Sequence, residues 1–190
     1  MLRRREQHAA IFARMRRPDA VDETSQFVQD NRQADSVDSS SHMAPLIVML
    51  VGWLVARSIG ALSVWPPADS WSGALRFALA AMFVFTAASH FHPRTRPDLI
   101  RMVPTSLPTP ALLVTATGLL ELIGAIGLLV PQARTAAAAA LMALLFAIFP
   151  ANVHAARGAL VIAGRRAMPL VWRVPLQLFW IAALWWVRAS

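Results

Sequence analysis

The segment Ala111 to Val130, ALLVTATGLLELIGAIGLLV, is a run of twenty apolar and small residues interrupted by one carboxylate, Glu121. As a helix it is roughly 30 Å long, the thickness of bilayer hydrocarbon. A charge near the middle of such a helix costs about 3 kcal/mol, so Glu121 is expected to face other helices, a cavity or a partner. Helical spacing puts Thr117 and Gly118 one turn before it and Gly124 and Ala125 one turn after. The acid therefore lies on a small-residue face that lets another backbone come close. Leu119, Leu120, Leu122, Ile123, Ile126 and Leu129 occupy the remaining surface and are expected to meet lipid or apolar neighbours.

The rest of the chain fits that environment. Of 190 residues, 57% are hydrophobic and 15% charged, and the charges come in blocks. Residues 1 to 42 hold seven arginines and seven acids, so the net charge of +8 belongs to residues 43 to 190. Residues 1 to 17 are arginine-rich and read as frayed coil or a short surface helix; residues 18 to 42 carry too few large apolar groups to offset ordering and read as disordered. Met43 opens the apolar part directly, which makes it a candidate start, and no signal peptide is needed ahead of it. Five segments of spanning length follow: Pro45–Trp65, Gly73–Phe91, Ala111–Val130, Thr135–Val153 and about Leu170–Val187. Arg57 is expected to face protein in the first. Pro175 is expected near the first turn of the last.

Arginines set the orientation. The tail, residues 92 to 110 (Arg94, Arg96, Arg101) and residues 154 to 169 (Arg157, Arg165, Arg166) share one side, leaving only Arg134 and Arg188 opposite. The positive-inside rule then predicts a cytoplasmic amino terminus. Trp65, Trp71, Trp185 and Trp186 fall at the ends placed outside, as interfacial aromatics do. Loop arginines without a continuous basic stripe speak against nucleic acid. The absence of cysteine excludes thiolate nucleophiles, iron–sulfur clusters and Cys-zinc sites. Neither a metal signature, a haem pair, a catalytic triad nor a phosphate loop is present, so no metal and no intrinsic cofactor are expected.

Polar residues gather toward the cytoplasmic side: Ser89, His90 and His92 end the second span, Asn152 and His154 the fourth, and Arg173 and Gln177 begin the fifth. Two readings remain open. In one, spans two to five enclose a cavity open to the cytoplasm, with Glu121 at its floor and His90 or Arg173 as counter-charge; the ligand-binding candidates are then His90, Glu121, Asn152, Arg173 and Gln177. In the other, the same groups are interhelical glue. Pro150 frees the Phe146 carbonyl in the first reading and ends a helix in the second. The connection HPRTRPDLIRMVPTSLPTP, with five prolines and Leu99, Ile100, Met102 and Val103 among them, predicts an ordered surface segment able to cap the cavity.

FVFTAASHFHP (Phe83–Pro93), RMVPTSLPTPALLVTATGLLELIGAIGLLVP (Arg101–Pro131), FPANVHAA (Phe149–Ala156) and PLQ (Pro175–Gln177) together resemble the DoxX-like family of small bacterial membrane proteins. The likeness covers residues 73 to 188. It implies an all-α, polytopic transmembrane helical bundle: a four-helix DoxX-like core at 73–188, preceded here by an extra transmembrane helix at 43–66 and the polar tail at 1–42. It also implies the bacterial inner membrane, a quinone as ligand and a soluble oxidoreductase as partner, because the family takes its name from a small subunit associated with thiosulfate:quinone oxidoreductase. A quinone- or lipid-binding accessory subunit is thus the leading expectation. A ligand-free scaffold or assembly factor, supported by the small-residue faces Gly118/Gly124/Ala125 and the stretch Ala136–Ala140, and an isomerase or carrier of lipid- or sterol-like substrates are the alternatives, and an oligomer is compatible with each.

Overall fold

The protein is described from a computed structural model covering residues 43–62, 66–158, 160–162 and 165–189, with backbone only at 165 and 166. The expected disorder of residues 18 to 42 and the interfacial position of Trp65 fall outside the described residues.

Six helices are present among them: α1 (Ala44–Ala61), α2 (Trp71–Phe91), α3 (Arg96–Met102), α4 (Pro110–Leu129), α5 (Arg134–Arg157) and α6 (Leu170–Arg188). All but α3 are long and apolar enough to cross a membrane. The all-helical expectation needs one amendment, an antiparallel hairpin between α5 and α6. Its strands are β1 (Val161–Ile162) and β2 (Arg165–Arg166), with Val161 opposite Arg166 and Ile162 opposite Arg165.

Prolines start several helices. Pro45, Pro97 and Pro110 each sit in the first two positions of theirs, where a missing N–H costs nothing. The α2 start is capped by Ser70, whose hydroxyl accepts from the Gly73 N–H at 2.9 Å. Two expected boundaries shift. α1 stops at Ala61, short of Trp65, and a 3-10 turn at Pro66–Ala68 follows. α5 runs through Pro150 to Arg157, since one proline removes a single backbone bond while the residues on either side remain helical. α6 begins at Leu170, so Pro175 lies in its second turn and the span is of full length.

Side-chain size explains how the helices meet. α1 packs along α2, α2 on α4, α4 on α5 and α5 on α6, and α6 returns to α2. Leu79, Met82 and Phe83 of α2, Leu128 of α4, Leu141 of α5 and Leu184 of α6 fill the shared interior. Glycines set the close approaches of α4. A Cβ on Gly124 would stand 2.5 Å from the Leu141 side chain, and one on Gly127 would stand 2.7 Å from Ala137 Cβ. The opposite face of α4 is bulky and bare: Leu119, Leu120, Leu122, Ile123, Ile126 and Leu129 are 36 to 64% exposed. Such a continuous apolar surface suits acyl chains and not water.

At one end of the bundle Arg57 is accommodated by protein. Its guanidinium lies 3.6 Å from the Asp69 carboxylate and 5.6 Å from the Trp71 ring centre, which also neighbours Trp53. At the other end α3, braced internally by an Arg101–Asp98 ion pair, is held to the bundle by the contact of Met102 with Ala155 and Ala167. The proline-rich connection is thus folded against the bundle.

Candidate functional site

The site begins where α2 and α4 cross. Gly118 has no side chain, and the vacancy is filled from α2: an added Cβ would lie 2.7 Å from His90 Cβ and 2.9 Å from the Phe91 ring. The imidazole of His90 is thereby brought to the α4 backbone, where Nδ1 lies 3.0 Å from the Val114 carbonyl oxygen. A carbonyl only accepts, so Nδ1 carries hydrogen and donates. The other ring nitrogen, Nε2, faces Glu121 Oε2 at 3.6 Å.

Glu121 is 5% exposed, and its Oε2 has no hydrogen-bond partner. Thr86 lies beside the carboxylate, yet its hydroxyl has a single proton and is 3.1 Å from the Phe83 carbonyl. One proton cannot serve both acceptors. Were Glu121 ionised and His90 neutral, the Nε2 lone pair would face a carboxylate oxygen, an arrangement that one proton on either member relieves.

Beside His90 is a cavity of about 350 Å³. Its walls are Leu99, Met102 and Val103 of α3 and its exit, Leu113, Val114, Thr117 and Leu120 of α4, and Leu144, Ile148, Ala151 and Asn152 of α5. The expected enclosure by spans two to five is corrected here: α6 contributes no wall, and Glu121 stands behind His90 instead of forming the floor. The exposed residues of its lining are Leu107 of the connection, Leu113 and Leu120 of α4, and Ala147 and Pro150 of α5. The capping segment does lie where the proline-rich connection predicted it.

Arg173 takes a different partner from the one expected. Its Nη1 donates to Asn152 Oδ1 at 2.6 Å, and its Nε reaches the Met168 carbonyl at 3.4 Å. With its oxygen engaged by a cation, the Asn152 amide is polarised, and its NH2 remains to donate toward the cavity that Asn152 lines. Gln177, 8% exposed, donates to the Leu145 carbonyl at 2.8 Å and stays outside the cavity. That contact lies one residue before the carbonyl freed by Pro150. His154 sits on α5 with Nδ1 3.1 Å from the Met102 carbonyl, so it fastens α3. The five candidates therefore divide: His90 and Asn152 line the cavity, Glu121 and Arg173 stand behind them, and Gln177 joins helices.

One contributor escaped the sequence reading, which used Arg96 only for topology. Its Nη1 donates to the His90 carbonyl at 2.9 Å, and its Nη2 donates to Thr115 Oγ1 at 2.8 Å and to the Ala111 carbonyl at 3.3 Å. It clamps the end of α2 to the start of α4. A signal existed in Thr95-Arg96-Pro97: an arginine just before a helix-starting proline, five residues beyond a span, has a restricted backbone. Among the described residues no three acidic or histidine side chains converge to hold a metal.

No curated protein and no solved structure matches the chain. Residues 79 to 188, from the middle of α2 to the end of α6 and including every residue of the site, match the family described as Domain of unknown function (DUF8561). The chain belongs to that family.

Proposed function

We propose that this is a multi-pass protein of the bacterial inner membrane, with its amino terminus in the cytoplasm, that holds an amphiphile in the cavity beside His90. The quinone class is the best fit, and the protein would act as accessory subunit to a soluble oxidoreductase. In this reading α2, α4, α5 and α6 form the DoxX-like four-helix core and α1 is an added span; the family match starting at residue 79 is compatible with it. The single observation that carries the ligand is the make-up of the cavity. Its walls are largely aliphatic, exposed apolar Leu113 and Leu120 of α4 stand at its edge, and Asn152, backed by Arg173, supplies one polar donor for a carbonyl oxygen. A molecule with an apolar tail and a carbonyl head satisfies all three. The chain itself brings no redox group, so electrons would come from the partner.

The test is to purify the protein from native membranes in mild detergent and identify bound small molecules by mass spectrometry. A quinone or related isoprenoid should copurify with the wild type and fall about tenfold in Asn152→Leu, as expected for loss of a buried polar anchor. Recovery of no amphiphile above the detergent-exchange background sinks the reading. A ligand-free scaffold is the second reading, favoured by one fact: Arg173 and Gln177 are both satisfied inside the protein. It predicts that Asn152→Leu lowers stability or partner recovery while no bound molecule is found.

A further inference from the structure

We infer that His90 passes a proton between Glu121 and the occupant of the cavity, so that the occupant is a molecule whose polar end gains and loses a proton, as a hydroquinone oxygen does. The inference rests on the proposed cavity ligand and adds to it a role for the buried acid. Four observations converge. His90 lines the cavity, whereas Glu121 lies behind it with 6% of its side chain exposed. Glu121 Oε2 has no hydrogen-bond partner, and the nearest ring nitrogen is His90 Nε2. The other ring nitrogen bonds the Val114 carbonyl, and Val114 and Thr117 line the same cavity. That carbonyl already serves the α4 helix, so its bond to His90 is a second one that an incoming oxygen can replace.

The step balances without electrons. The Nδ1–H bond of His90 breaks as an O–H bond forms on the occupant's oxyanion. At the same time the Glu121 O–H bond breaks and Nε2–H forms. One proton leaves Glu121 and one reaches the occupant; His90 begins and ends neutral, having exchanged tautomers, and the negative charge moves from the occupant to the carboxylate. The reverse sequence takes a proton from the occupant. The 3.6 Å gap must close to about 2.8 Å for transfer, a tightening expected when a ligand seats. The charged groups acting on this pair, among the described residues, are Arg96 of α3, which is fixed on the His90 backbone, and the two members themselves. The neighbouring hydroxyl, Thr86, is neutral.

Difference infrared spectroscopy of the full chain in phospholipid nanodiscs, with decylubiquinol as probe, tests this. Binding to the wild type should change a protonated-carboxyl band that is missing in Glu121→Gln. Normalised to bound probe, the change should be lost in His90→Gln, whose amide cannot carry a proton between Glu121 and the probe. Should His90→Gln fail to fold, His90→Asn, whose amide can keep the Val114 bond, replaces it. Bound probe with no carboxyl response overturns the relay and leaves the cavity reading standing. A full response in the His90 variant overturns it too, because the proton then travels elsewhere. Failure of the wild type to bind the probe overturns the cavity reading and this inference together.

Discussion

The two polar clusters of this bundle differ in one respect: one is complete and the other is not. Around Arg173 and Gln177 the donors that join α6 to α5 reach their acceptors at 2.6 and 2.8 Å. Around Glu121 a buried oxygen has no hydrogen bond and its nearest nitrogen stops at 3.6 Å. In hydrocarbon a satisfied polar contact fastens helices. An unsatisfied one is destabilising, and its persistence at a helix crossing shaped by Gly118 marks a place where a proton or ligand completes the set. Removing parts of the complete cluster should therefore cost stability, and neutralising the incomplete one should cost chemistry.

The largest effect is expected at the crossing that seats the incomplete pair. Gly118→Leu would push into His90 and Phe91, and overpacking of this kind costs about 3 kcal/mol, read as a lower melting temperature by circular dichroism in detergent. An unchanged melt would mean that α2 and α4 are not in close contact. Next comes Arg173→Leu, which removes a charge-assisted bond and should cost about 2 kcal/mol. Adding Asn152→Leu should then cost little more, and full additivity in that double-mutant cycle would break the pairing. Gln177→Leu should cost only about 0.6 kcal/mol, typical of an interhelical bond in a membrane protein, because the Leu145 carbonyl retains its helical donor. Smallest is Glu121→Gln, expected within about 0.5 kcal/mol of wild type in stability, since a neutral amide replaces an ill-satisfied acid. A loss above about 2 kcal/mol there would place Glu121 with the structural cluster and erase the distinction.

How much was legible beforehand varies by residue. The division of α4 into a buried stripe of Gly118, Glu121, Gly124 and Ala125 and an exposed stripe of six bulky residues followed from helical spacing alone. His90 and Arg173 were equal candidates as neighbours of Glu121, and nothing in the chain could choose between them. The choice turns on which helix lies against the Gly118 face, and α2 does. Asn152 looked like a helix end because Pro150 precedes it, yet the helix continues and aims the amide into the cavity wall.

Length, apolar content and the period of small and large residues are properties of one helix in one solvent, so the five helices long enough to cross a membrane, the buried side of α4 and the ordered connection before it could be read from the residues alone. Partner choice depends on the order and rotation of helices about one another. That Glu121 meets His90, that Arg173 serves Asn152, and that α3, α4 and α5 line one cavity is visible in the folded molecule alone, because these depend on side chains far apart in the chain meeting at particular angles.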